Sequence, residues 1–464
     1  MPHHLEDLMV ACKKEEICPY ELALGQSAKA QVVVADYNYI FHPSIRNAFL
    51  SKIKKKLDDC IIIVDEGHNL PVRMRELLSH RISTLTVLKA IKEAQKYNCL
   101  DALPLLKKML DVFFSLATDD EHLITKEALV DAVDTVHDYD SLITLFSSYA
   151  EQVRDEQKTS ALGTLAGFLD DWTAGDQGYT RMTTQIKGRK GDQIVMISKR
   201  CLDPSFATRD LIAQSYCSLI MSGTMTPTKM YRSLLGFPEK TKEYTFASPF
   251  PPENRLVLLV PQTTTKYSTR GPIMYEQIAN LSASIIDRVS GNSALFFPSY
   301  ALRDAVNQYF SSQCKKTIFL EAPSMQKVEK RELLERFSTY KNAVLLGISS
   351  GNFAEGIDLP GILKCVVIVG LPLQNPDVEM QQLIAYYDTL FKKGWEYGYI
   401  FPAFSRCIQS AGRAIRTEHD RGILIFLDER FPHYRQYFPS DWELTVTKNP
   451  HQYIQQFFDP KQTL

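Results

Sequence analysis

No stretch of this 464-residue chain approaches the roughly 18–20 consecutive apolar residues of a membrane-crossing helix, and its opening, MPHHLEDLMVACKKEE, lacks the apolar core of a signal peptide. An excess of one charge is also missing. The 53 basic and 54 acidic side chains leave a formal charge of −1, so any polyanion has to be met by local basic patches rather than by bulk charge. The nine cysteines are scattered, which in a chain this long excludes a disulfide-stapled scaffold. Internal repeats and low-complexity segments are lacking too. With 45% apolar and 23% charged residues, disorder and collagen are excluded. At about 100–200 residues per domain, roughly three domains are expected. The chain reads as a cytoplasmic, soluble monomer with no membrane partner.

What is present is a series of short, unbroken apolar runs separated by helical-period stretches. The runs are VVVADY (32–37), IIIVDE (61–66), SLIMSGT (218–224), LVLLVP (256–261), ALFFPS (294–299), AVLLGIS (343–349), VVIVGLP (366–372) and GILIFLDE (422–429). Such runs suit strands covered on both faces, as in parallel sheets packed between helices, so the fold class is α/β. Between 72 and 200 the texture changes. Segments 105–117, 126–156 and 161–172 read as long amphipathic helices, and 179–200 alternates about Gly188-Arg189-Lys190-Gly191 like a β-hairpin. That block reads as an inserted, mostly helical domain.

Chemistry concentrates at four strings. In IIIVDEGHN (61–69), Asp65 and Glu66 sit at the carboxyl end of a strand, where α/β sheets bind ligands. In a nucleotide hydrolase the Asp would hold Mg²⁺ and the Glu would orient and deprotonate water; a plain acidic turn is the competing reading. QSAGRAIR (409–416), read as a helix start, sets Gln409, Arg413 and Arg416 on one face, two guanidiniums suited to phosphate; the alternative is a solvated basic helix. SGTMTP (222–227) offers the Ser222 and Thr224 hydroxyls after a strand, placed to couple the carboxylates to a second site. GNFAEGIDLPG (351–361) sets Glu355 and Asp358 among glycines, a pattern weak on its own.

In order, these strings resemble motifs II, III, V and VI of superfamily 2 helicases: Asp-Glu-x-His with Gly67 and His68, Ser-Gly-Thr with Gly223, the loop carrying Gly356, and Gln-x-x-Gly-Arg-x-x-Arg. Further strings narrow the resemblance to the XPD helicase family, archaeal type: CPYELALGQSAKAQVVVADYNYIFHP (18–43), RCLDPS (200–205), AEGIDLPG (354–361) and SAGRAIRTEHDRGILIFLDERF (410–431). The resemblance implies two RecA-like motor domains with ATP hydrolysed between them, a helical Arch insert, and a domain holding a 4Fe–4S cluster. Carried onto this chain, it implies a cluster-domain remnant at 1–30, a partial first motor domain at 31–72 and 201–245, an Arch at 73–200 and a second motor domain at 246–464. It makes Glu355, Gly356 and Asp358 nucleotide-binding, Ser222, Gly223 and Thr224 coupling, and Asp65 the Mg²⁺ residue.

One element of the family pattern is missing from these residues. No Gly-x-x-x-x-Gly-Lys-[Ser/Thr] occurs, so the phosphate-cradling loop of such a motor is not among them. Cys18, in Cys-Pro-Tyr, matches the family's last cluster ligand, whereas Cys12 does not match the spacing and is expected to be unligated. The chain is therefore expected to lack the family's N-terminal part and to be inactive alone, although the intact protein would be an ATP-dependent 5′–3′ helicase of nucleotide excision repair acting on single-stranded and forked DNA with other repair proteins. A non-enzymatic single-stranded DNA-binding or scaffold remnant is the alternative. Candidate DNA contacts are Trp395, beside Lys392 and Lys393 in an aromatic-rich stretch that also suits a core helix, and, by the resemblance, Asp428 and Arg430. The 188–191 turn reads equally as a strand guide or a solvated basic turn.

Overall fold

Unbroken apolar runs need cover on both faces, and whether they find it differs sharply along this chain. The computed structural model describes residues 5–188, 191–351, 353, 361–373 and 375–458. The chain falls into two units. The first takes residues 1–223, 231–241 and 377–386, and the second takes 224–230, 242–376 and 387–464.

In the first unit, β1 (Ile61–Val64) is followed by β2 (His80–Ser83), β3 (Glu121–Leu123), β4 (Tyr179–Lys187), β5 (Gln193–Cys201) and β6 (Cys217–Ile220). β1 and β6 pair in parallel as a two-stranded sheet, Ile61 opposite Cys217 through Val64 opposite Ile220. One face of this pair is open: Ile61, Ile63, Leu219 and Met221 are 46–62% exposed. The strand expected at 32–37 does not form. No strand among the described residues pairs with it, and Val32 and Val34 are 80% and 95% exposed. A β-branched run needs a ladder partner before its strand preference is realised, and here the run takes no regular secondary structure.

The inserted block has its own architecture. β2–β5 form an antiparallel sheet in the order β2-β5-β4-β3, with the 179–201 hairpin in its centre. Arg189 and Lys190 of its turn lie outside the described residues. Helices Thr84–Lys96, Ala102–Ser115, Lys126–Asp134, Tyr139–Arg154 and Ala161–Thr173 bury Leu106, Phe113, Leu142, Phe146, Leu165 and Trp172 in one core. The stretch 126–156 is two helices rather than one. Asp138 restarts the chain as an N-cap, its carboxylate accepting the Ser141 N–H at 2.9 Å. The C-terminal end of the last helix is tied down by charge. Asp171 lies 2.9 Å from His80 and 3.4 Å from the buried Lys199.

In the second unit, β7 (Arg255–Leu259), β8 (Asn292–Phe297), β9 (Thr317–Leu320), β10 (Ala343–Ile348), β11 (Leu363–Val369), β12 (Gly422–Leu427) and β13 (Leu444–Val446) make one parallel sheet in the order β13-β7-β12-β11-β8-β10-β9. β8, β10 and β12 are buried at every position. Successive residues feed two cores, one per face: Phe296, Leu345, Ile368 and Phe426 on one side, Phe297, Leu346, Val367 and Ile425 on the other. The order reverses direction about β8 and β11, so their carboxyl ends open the kind of crevice where such sheets bind ligands.

Candidate functional site

In the first unit, Asp65 and Glu66 follow β1 directly and are exposed. The turn is tight. Glu66 adopts φ +48°, the left-handed region, at a cost on the order of 1 kcal/mol for a side chain with a Cβ. Asp65 Oδ1 accepts the Glu66 N–H at 2.8 Å, and the Tyr37 hydroxyl donates to the Asp65 carbonyl at 2.6 Å, together holding it there. Burial, then the nearby Glu66 and Asp65 carboxylates, push the Tyr37 hydroxyl pKa up, so it stays a donor.

Gly67 explains itself by contact. A Cβ there would lie 2.1 Å from Ile220 Cγ2 of β6, because the Gly67 N–H bonds the Met221 carbonyl at 2.9 Å and draws the two chains together. That closeness brings His68 to its partners. Its ring is 5% exposed, with Nδ1 2.7 Å from Ser222 Oγ and 3.3 Å from Glu66 Oε2, and Ser222 Oγ donates to the same Glu66 oxygen at 3.4 Å. Three residues from two distant strings thus meet in one cluster, and the buried imidazole holds one oxygen of a carboxylate that is itself 66% exposed. Such a carboxylate can take a proton from water.

Mg²⁺ binds readily to one carboxylate plus substrate phosphates and waters, and the exposed Asp65–Glu66 pair has the right donor chemistry for it. The described residues contain no group of three or more His, Cys, Asp or Glu side chains placed to hold a metal. A 4Fe–4S cluster does not fit them. Cys18 is exposed at the N-cap of the helix Pro19–Ser27, Cys12 is buried, and four thiolates are needed.

In the second unit the string 409–416 corrects the expectation of a shared helical face. The helix Phe401–Ala411 ends there, Gly412–Ala414 is a single 3₁₀ turn, and Ile415 is extended at φ −132°. Gln409 therefore sits on the last helical turn, Arg413 on the 3₁₀ turn and Arg416 beyond both. Beyond the helix the small Ala414 packs against the head of β12: Gly422 approaches so closely that a Cβ on it would lie 3.0 Å from Ala414 Cβ. Gln409 Nε2 donates to Thr224 Oγ1 at 3.3 Å. Arg416 is exposed, and its backbone is set by the buried Asp420, whose carboxylate accepts the N–H groups of Arg416 and Thr417, each at 2.8 Å. Burial alone would raise the Asp420 pKa, but those donors hold it below its usual value. Glu355, Gly356 and Asp358 lie outside the described residues.

Asp428 and Arg430 do not present themselves as an open DNA contact. Asp428 is fully buried and grips Arg430 at both oxygens, 2.7 and 2.8 Å; Arg430 Nη2 also donates to Thr265 Oγ1 and the Leu371 carbonyl. This pair fastens the turn after β12 to its neighbours. Trp395 is 48% exposed, its ring centroid 4.5 Å from Tyr399 in the π-helical turn Glu396–Ile400, whereas Tyr387, Tyr397 and Phe404 around it are core. Tyr37 and Asp420 lie within strings that carry the resemblance, which single out neither, and Thr265 lies outside all of them. Only the ring-to-carbonyl and carboxylate-to-amide distances reveal them.

Two domain families match: DEAD_2 over residues 1–87 and a helicase C-terminal domain over 282–445. Among curated relatives, the ATP-dependent DNA helicase CHL1 of Debaryomyces hansenii is 26% identical over 92% of this chain and 59% of its own length. The ATP-dependent DNA helicase XPD of Sulfolobus acidocaldarius is 24% identical over 90% of this chain and 73% of its own. The chain spans only 59–61% of the first three curated relatives it matches. Among solved structures, an XPD helicase matches 95% of the chain and 78% of its own with TM-score 0.64 and 20% identity; S. tokodaii Xpd4 matches 88% and 81% with TM-score 0.64 and 20% identity. These likenesses show the fold.

Proposed function

The chain belongs to the XPD/CHL1-type DNA helicase family, and from that premise we propose that it carries most of the motor of an ATP-dependent DNA helicase. The observation that carries the reading is the Glu66–His68–Ser222 cluster. Glu66 orients and deprotonates the attacking water, His68 fixes its carboxylate, and Ser222 ties that carboxylate to the Ser-Gly-Thr string. Mg²⁺, when bound, neutralises phosphate charge and would be held through Asp65. Arg413 and Arg416 supply cations to the transferring phosphoryl group, and Gln409 works with Thr224. Single-stranded and forked DNA are the proposed substrates, with 5′–3′ polarity and a place in nucleotide excision repair, beside other repair proteins, as the finer part of this reading.

These 464 residues contain no Gly-x-x-x-x-Gly-Lys-[Ser/Thr], so we propose that they do not hydrolyse ATP by themselves. The test is phosphate release with excess single-stranded DNA, from the chain alone and from the chain joined to a relative's phosphate-cradling segment. The joined protein should turn over and lose turnover on Glu66→Gln while still binding Mg·ATP. Turnover that survives Glu66→Gln would sink the assignment. Glu66-dependent release from the chain alone would show that the cradle is replaced.

A further inference from the structure

The loop after β7 has the chemistry of a strand-binding step. It reads Gln262-Thr263-Thr264-Thr265-Lys266-Tyr267-Ser268-Thr269-Arg270 and sits at the carboxyl edge of the seven-stranded sheet, the ligand-binding edge of such folds. Its base is clamped. The Thr265 N–H and hydroxyl both donate to Asp428 Oδ2, at 2.9 and 3.2 Å, and the Thr263 carbonyl accepts the Glu429 N–H at 2.8 Å. Gly370 leaves the room for this, since a Cβ at its φ of +84° would lie 2.2 Å from Thr265 Oγ1. Under the loop, Thr263 Oγ1 is buried with no partner.

The tip is the opposite. Lys266, Tyr267, Ser268 and Thr269 are all exposed, Tyr267 at 74%. Arg270 lies against the tyrosine ring, its guanidinium carbon 5.6 Å from the centroid, and its Nε donates to the Thr265 carbonyl at 3.1 Å, which orients it. Lys266 Nζ is 2.8 Å from Glu429 Oε1, an ion pair in which both side chains are almost half exposed. Exposed pairs of this kind are worth little, so a phosphate can displace the carboxylate.

We propose that Lys266, Tyr267 and Arg270 form a base-stacking and phosphate-binding step for single-stranded DNA, with Glu429 as an internal competitor for Lys266. A rigid aromatic face flanked by two cations matches the sequence-tolerant grip on single strands: one base on the ring, backbone charge on the cations. The inference rests on the DNA-helicase reading and adds to it a contact that the helicase strings do not include.

The test is fluorescence anisotropy of labelled oligothymidylate with the full chain over a salt series. Tyr267→Ala should weaken binding about tenfold, and Tyr267→Phe should bind like the native chain. Lys266→Ala should flatten the slope of log affinity against log salt by about 0.7. Glu429→Gln should tighten binding about threefold at low salt, a gain that misfolding cannot produce. Native binding that none of these changes alters would overturn the proposal and leave the helicase reading standing. Equal losses in the Ala and Phe variants would replace stacking by a hydroxyl contact and overturn it as stated. A native chain that binds no single strand overturns both.

Discussion

IIIV at 61–64 and ILIF at 423–426 are nearly interchangeable strings, yet they end in opposite surroundings. β1 has one partner strand and turns Ile61 and Ile63 to solvent; β12 lies between two strands in a seven-stranded sheet and is buried throughout. An apolar run reports a tendency to be a strand. How much it stabilises depends on how many neighbours cover it, because hydrophobic stabilisation scales with area removed from water, about 25 cal/mol per Å². The first unit consequently draws its cohesion from the inserted block's core, and the second from its sheet.

The largest effect that separates the two regions is core truncation. Phe426→Ala should cost about 3–5 kcal/mol, since the ring packs on Phe431, Phe438 and Trp442 and its loss leaves a cavity. Ile63→Ala, at 62% exposure, should stay within about 0.5 kcal/mol. Urea unfolding followed by tryptophan fluorescence measures both, and similar losses at the two sites would erase the comparison. Next comes Gly67→Ala, expected to cost about 1–3 kcal/mol by forcing β1 and β6 apart, and to lower any Glu66-dependent turnover by misplacing His68. Restored turnover in the Gly67→Ala, Ile220→Ala pair would identify the clash as the cause.

A smaller effect concerns solubility. Replacing Ile61 and Ile63 by Lys should leave the unfolding midpoint unchanged and reduce light scattering on concentration, because an open apolar strand pair invites further strands. Scattering that does not fall would mean the open face is not the sticky one.

The smallest is a pH effect in the inserted block. The Asp171 hydrogen bond raises the His80 pKa against the opposing pull of burial and of Lys199. For Asp171, burial pushes upward, but His80 and Lys199 hold it below its usual value. A raised histidine contributes its full stability below its unfolded value of about 6.5 and loses it as pH rises through the higher folded value. A depressed aspartate contributes above about 3.9 and loses it on acidification. The pair therefore acts most between about pH 4 and 6.5. The thermal midpoint, read from Trp172 fluorescence, should fall modestly from pH 6 to 8.5, and His80→Gln should flatten that drop. His80 is half exposed, so the change should be slight.

Much of the fold was readable because period and burial agree. Seven of the eight apolar runs became strands, and the segments read as helical at 105–117, 126–156 and 161–172 fall largely on helices, whereas the helix Thr84–Lys96 went unread. The eighth, 32–37, shows what a run cannot reveal: the presence of a partner strand. β2, β3, β9 and β13 went unread because each is an edge strand of only three or four residues, too short for its pattern to stand out. At the candidate site, the strings named Glu66, His68 and Ser222, which the fold brings together, because chemistry-bearing residues at strand ends stand out from packing. The helical reading of 409–416 failed because the helix ends at Ala411 and the chain turns to pass Ala414 against Gly422, a contact the spacing does not reveal. The resemblance makes Asp428 and Arg430 candidate DNA contacts, and only three-dimensional neighbours show them bonded to each other.

The contact between Gly67 and Ile220 also sets a rule for how this chain can drift. The two positions are 153 residues apart in sequence, yet residue 67 cannot gain a Cβ while residue 220 stays isoleucine and β1 and β6 keep their register. Alanine at 67 should be admitted only in descendants whose residue 220 has already shrunk, whereas shrinkage at 220 is tolerated first and alone. Substitutions at the pair should therefore arise in one order, and a lineage tree of this chain should record the small residue at 220 as the older of the two changes.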